Sequence, residues 1–193
     1  MLPSIRNEDH MKKDTIVINI IGGPGCGKTT VASGLFSKLK ALNYDVEDVS
    51  EFAKELVWES NTEAFKDRLY MHAMQNHRLF QMKDKLDFII TDSPLLLTSI
   101  YNAFYLKDKQ SVEYNEMIDI VVERTWNLYH NVTYYIERDQ GYNMIGRREN
   151  ADEALIIDDK IKEYLNHHQI AYTTLNVKDA VDYIYQDILK LKQ

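Results

Sequence analysis

The stretch that most constrains this chain is "INIIGGPGCGKTT", Ile18–Thr30. Thr15–Ile21 is a nearly unbroken run of branched apolar residues, the pattern of a strand buried on both faces. Directly after the glycines, Val31, Leu35, Leu39 and Leu42 recur at helical spacing, with Asn43 as a stop. Gly22–Thr29 fulfils G-x-x-x-x-G-K-[ST] at the point where a strand gives way to a helix. Glycines let successive N–H groups curl inward around an anion, and the helix N-terminus adds partial positive charge. Gly23, Pro24, Gly25, Cys26, Gly27, Lys28, Thr29 and Thr30 are thus the expected triphosphate cradle. Lys28 would neutralise the outer phosphates, and the Thr29 hydroxyl would ligate Mg²⁺. Cys26 reads either as a thiol activated by the helix N-terminus or as a small residue filling a variable position.

Four further strands are expected, at Tyr44–Ser50, Asp87–Asp92, Val132–Glu137 and within "IAYTTLNV" (170–177). Helical patterns lie between them. Residues 51–86 are helical with a break near Glu59–Glu63, Leu96–Leu106 forms a helix, and Tyr114, Ile118, Val121, Thr125 and Leu128 mark another. Asn150 and Glu153 have capping-box spacing before Ala154, Ile157, Ile161 and Leu165, and a last helix carries Val181, Ile184, Tyr185, Ile188 and Leu189. Alternating strands and helices predict an α/β fold, a mostly parallel sheet covered on both faces. A chain of 193 residues is most economically a single domain, with 1–14 as a loose extension, 51–86 as acceptor-side helices and 138–150 as a glycine-bearing lid loop.

Composition removes several classes of function. Apolar residues make up 45% and charged residues 27%, as in a globular protein, and the net charge of −7 argues against a dedicated duplex-DNA binder. Cys26 is the single cysteine, which forbids an internal disulfide and suits a reducing compartment. No apolar stretch approaches the roughly 18 residues of a membrane span. The N-terminus has no apolar signal core. A cytoplasmic protein is expected. The six histidines have no metal-ligand spacing.

Ligands of open α/β sheets gather beyond the carboxyl ends of the strands. Asp92 ends the third strand, where a carboxylate either completes a Mg²⁺–nucleotide site or caps the next helix. Glu51 follows the second strand, either accepting a proton from an attacking hydroxyl or simply occupying the favourable first turn of a helix. Arg138 follows the fourth strand, and Arg147 and Arg148 lie on the lid loop, where guanidinium groups could spread along a triphosphate or remain a solvated basic pair. Trp58, Tyr70, Gln75 and Arg78 offer stacking and hydrogen bonding to an acceptor, although packing accounts equally well for the aromatics. The stretch 65–86 is locally basic, carrying Lys66, Arg68, Arg78, Lys83 and Lys85 against Asp67 and Asp84.

Together "GGPGCGKTT", "SEFAKEL", "ITDSPLLL" and "GRREN" resemble the P-loop kinases of nucleosides and nucleotides, closest to the nicotinamide-riboside-kinase-like group and its phage-encoded relatives. The likeness runs from Thr15 to the last helix. It implies a P-loop NTPase three-layer sandwich with strand order 2-3-1-4-5, ATP and Mg²⁺ as cofactors, and a nucleoside- or nucleotide-like acceptor. Some phage relatives phosphorylate a hydroxymethylated pyrimidine in DNA, so a modified base in DNA is a second acceptor class. In the similar deoxynucleoside kinases a Glu after strand two is the base and a Gln on a following helix reads the nucleobase, which supports Glu51 and Gln75. The chain departs from them in having "TDSP" where they carry an acidic residue followed by Arg-Ser.

Two competing readings remain. A GTPase switch needs glycine after the strand-three Asp and an Asn-Lys-x-Asp; Asp92 is followed by Ser-Pro, and "NVKD" has Val177 in the lysine position. The place of Asn176 after strand five nonetheless suits an adenine contact. An ATPase module of a larger machine is the other. Oligomeric state is open, a homodimer included, and so is the choice of ATP over GTP.

Overall fold

The computed structural model describes residues 13–61, 63–106, 110–138 and 149–192. Arg147, Arg148 and most of the expected lid loop lie outside the described residues. Five strands, β1 (Ile16–Ile21), β2 (Val46–Val49), β3 (Phe88–Thr91), β4 (His130–Ile136) and β5 (Thr173–Leu175), form one parallel sheet in the order β2-β3-β1-β4-β5. The expected order 2-3-1-4-5 is observed. β2 and β5, each at a sheet edge with a single neighbour, are shorter than the expected Tyr44–Ser50 and 170–177.

The helices are α1 (Lys28–Ala41), α2 (Phe52–Trp58), α3 (Arg68–Met82), α4 (Leu97–Tyr105), α5 (Val112–Trp126), α6 (Ala151–His167) and α7 (Val177–Leu191). The expected break between α2 and α3 holds Ser60 in the left-handed region and a short 3₁₀ turn, Glu63–Lys66. Asn43 likewise turns left-handed just beyond α1.

Central position explains the composition of β1. It pairs with β3 on one side and β4 on the other, so all six of its residues are buried. Ile16, Ile18 and Ile20 point to the layer made by α1 and α7, packing with Leu35, Leu39, Ile184 and Ile188. Ile21 points to the opposite layer, with Ile100, Val122, Ile157 and Ile161 of α4, α5 and α6. Each such side chain contributes roughly 1.5–3 kcal/mol by leaving water. Every strand thereby ends at the same edge, and the residue after it emerges there. None of the described helices is long and apolar enough to cross a membrane.

Candidate active site

The glycine loop follows β1 and opens α1. Gly27 is the N-cap, with φ of 100°, a left-handed conformation that only glycine adopts cheaply. A Cβ there would also come within 2.6 Å of Val177 Cγ2, at the start of α7. Gly23 is required for a different reason: its missing side chain admits the Asp158 carboxylate, which a Cβ would approach to 2.2 Å.

Lys28 Nζ donates to the carbonyls of Gly22 and Gly23, both at 2.8 Å, and so spans the mouth of the loop. The Thr29 hydroxyl donates to Asp92 Oδ2 at 2.6 Å. Asp92 is buried, and its other oxygen, Oδ1, has no hydrogen-bond partner among the described residues. An orphaned carboxylate oxygen beside a threonine hydroxyl is a hard-oxygen set that fits Mg²⁺.

Glu51 sits at the N-cap of α2, yet its side chain makes no capping bond. Burial pushes its carboxyl above the usual glutamate value of 4.5; Asp92 and Glu149 push the same way, against Lys28 and Lys54. Asp48 on β2 is raised to about 6, by burial first and then by Asp92 and Glu47. Burial, reinforced by neighbouring carboxylates, thus favours protons held on Glu51 and Asp48.

A cavity of about 430 Å³ unites these groups. Lys28, Thr29, Glu51 and Asp92 line it, with Pro24, Gly25, Gly27 and Thr30 of the loop. Gln75 and Trp58 line it too, though differently. Buried Gln75 accepts from the Phe52 N–H at 3.2 Å and donates to Thr91 Oγ1 at 3.4 Å, tying α3 to α2 and β3. Trp58 stands at the rim, 73% exposed. Tyr70 and Arg78 are not among the lining residues: Tyr70 packs edge-on against Phe52, and Arg78 pairs with Glu55 at 2.7 Å.

Gly23 and Cys26 also lie off the lining; Cys26 is buried in the core beneath the loop. Asn176 caps α7 by accepting from the Asp179 N–H at 3.1 Å. Arg138 does emerge beside the loop, but its guanidinium faces protein. Nε donates to Asp158 Oδ2 at 2.9 Å and Nη2 to the Pro24 carbonyl at 2.8 Å.

Several residues here carry no sequence signal that singles them out. Tyr101 and Tyr105, one turn apart on α4, stack with nearly parallel rings at 6.1 Å. Arg68 lies over the Tyr105 ring at 5.7 Å, and the Tyr105 hydroxyl donates to Glu149 Oε1 at 2.6 Å. All four line the cavity. An i,i+4 tyrosine pair reads equally well as core packing. Asp158 does leave a trace: it interrupts the apolar stripe of Ala154, Ile157, Ile161 and Leu165.

A protein family described as an AAA domain matches residues 17–182. The chain belongs to that family. No curated protein matches this AAA-domain chain. Among solved structures, the NadR protein in complex with NR is similar to it at a TM-score of 0.70 and 15% identity, over 91% of this chain. The chain spans about half of that protein, 52%. Thymidylate kinase from Ehrlichia chaffeensis gives 0.65 at 13% identity, over 92% of this chain and 99% of that one. Deoxyadenosine kinase from M. mycoides, with products dCMP and dCDP bound, gives 0.59 at 18% identity, over 90% and 99%. The AAA-domain chain therefore has the α/β P-loop fold found in nucleoside and nucleotide kinases.

Proposed function

We propose that the protein is an ATP-dependent kinase that transfers the γ-phosphoryl group to a hydroxyl of a nucleoside- or nucleotide-like acceptor. One observation carries this reading. The loop residues Lys28 and Thr29 and the carboxylates of Asp92 and Glu51 line a single cavity together with Phe52, Trp58 and Tyr101. A hydrolase or switch has no need of aromatic side chains lining the cavity of its phosphate loop, whereas an acceptor ring does.

Lys28 and the loop N–H groups hold the triphosphate. Thr29 and Asp92 would hold Mg²⁺, which when bound neutralises charge on the β- and γ-phosphate oxygens. Glu51 accepts the proton of the acceptor hydroxyl. That oxygen bonds to the γ-phosphorus as the bond to the bridging oxygen breaks, and the electron pair leaves with ADP. A carboxylate pushed upward by burial is a stronger base than a free glutamate, as this step requires. The lid arginines, Arg147 and Arg148, would supply positive charge to the transferring group.

Glu51→Gln keeps the shape and removes the base. Transfer should fall by about 10²–10⁴-fold while ATP binding persists. Unchanged turnover would overturn the assignment. The acceptor is found by incubating the protein with labelled ATP and nucleosides, nucleotides, nicotinamide riboside, or DNA with and without hydroxymethylated bases. Exposed Trp58 at the rim supports a second reading, a modified pyrimidine base in DNA, because an exposed indole can stack on an extruded base. Label on DNA alone would favour that reading; ATP consumption without any acceptor would favour an ATPase module.

A further inference from the structure

Arg138 comes just after β4, and Asp158 lies two turns into α6. They form a largely buried ion pair, with side chains 14% and 11% exposed. Both also reach the backbone of the glycine loop. Asp158 Oδ1 accepts from the Gly23 N–H at 2.7 Å, and Arg138 Nη2 donates to the Pro24 carbonyl at 2.8 Å.

The directions of these bonds define an inner and an outer side of the loop. In a trans peptide the N–H and the preceding C=O point opposite ways. In the Gly22–Gly23 peptide the N–H faces Asp158, and the Gly22 carbonyl faces Lys28 Nζ at 2.8 Å. Asp158 is therefore outside and Lys28 inside. In the Pro24–Gly25 peptide the carbonyl faces Arg138, on the outer side, so the Gly25 N–H is turned inward, and Gly25 lines the cavity. Pro24 has no N–H of its own to offer. The Gly25 donor thus depends on what holds the Pro24 carbonyl.

We propose that Arg138 and Asp158 are positioning residues for phosphate binding: the pair holds the outer side of the loop so that the Gly25 N–H faces the bound phosphates. Arg138 then acts through the Pro24 carbonyl and not on the triphosphate. This rests on the reading of the loop as a phosphate site, and not on the identity of the acceptor. A bidentate guanidinium suits the task because one arm stays on the carboxylate while another reaches the carbonyl, which a lysine ammonium does less well.

The test is the paired variant Arg138→Met with Asp158→Asn. It leaves no lone buried charge, and the side-chain amide oxygen it introduces can still accept from the Gly23 N–H. Arg138→Lys serves as a second variant that keeps the charge opposite Asp158. Binding of ATP, tripolyphosphate and adenosine is measured by calorimetry, and the Gly25 amide resonance is followed by ¹H–¹⁵N NMR in nucleotide-free protein. The expected result is about tenfold weaker ATP and tripolyphosphate binding in both variants, adenosine binding unmoved, and a displaced Gly25 resonance before any nucleotide is added. Two results would overturn the proposal. One is wild-type tripolyphosphate affinity in a variant that melts like the wild type. The other is weakened phosphate binding with the nucleotide-free Gly25 resonance unmoved, which would mean that Arg138 touches the triphosphate itself. Failure of the wild-type protein to bind ATP would instead remove the phosphate-site reading and this proposal with it.

Discussion

His72 on α3 shows how one residue can join three helices. Thr125 Oγ1 lies 2.8 Å from Val121 O and 3.0 Å from Val122 O, so its proton goes to a carbonyl and its lone pair accepts from His72 Nε2 at 2.8 Å. That assigns the Nε2–H tautomer and leaves Nδ1 to accept from the Thr98 hydroxyl at 3.1 Å. Burial lowers the imidazole from 6.5 to about 4. Between those values the unfolded chain binds the proton and the native chain does not, so the contribution of His72 is complete above pH 6.5 and declines towards pH 4. The decline is on the order of 3 kcal/mol from this group alone. Urea titrations across that range should show a shallower acid slope for His72→Gln; an unchanged slope would mean that His72 is not the titrating group.

Glu51 has the opposite sign. Its carboxyl is raised above 4.5, so the native chain holds the proton more tightly than the unfolded chain. Stability is highest below the unfolded value and is lost as pH rises through the native one. Glu51→Gln, the variant expected to lose transfer, should therefore melt at a higher temperature than wild type at pH 7. A lower melting temperature would contradict the burial described for this carboxylate.

At the scale of elements, α6 is begun by a complete capping box. Asn150 accepts from the Glu153 N–H, and Glu153 accepts from the Asn150 N–H, each at 2.9 Å. Asn150→Ala should cost about 1 kcal/mol in denaturant unfolding, and Asn150→Ser much less. This cap is plain in the sequence because both partners lie within four residues. The central strands β1 and β3 are equally plain, since strands buried on both faces read as apolar runs. Asp158 is less legible. A carboxylate on an apolar stripe announces that it has a partner, but not that the partner is a backbone N–H 135 residues earlier. Arg138 can be placed at the right sheet edge, yet spacing along a strand does not say which way a guanidinium will turn.

For the whole molecule, the phosphate loop is the place where distant parts meet. Gly27 illustrates the cost of disturbing it. Gly27→Ala would force a Cβ into the left-handed region and to 2.6 Å from Val177. It should lower stability by at least about 1–2 kcal/mol and weaken ATP binding. Trimming the neighbour with Val177→Ala should recover only part of the stability, because the backbone strain remains. Full recovery would show that crowding alone is responsible.

The recognisable motif ends at Thr29, but the contacts that shape it come from Arg138, Asp158 and Val177. Loops closed over more than a hundred residues are late and slow to form. A nascent chain that has emerged only as far as β4 would carry every letter of the motif and lack the contacts that orient it. On the proposed function, nucleotide capture would then report on completed folding, available only once α6 and α7 have docked.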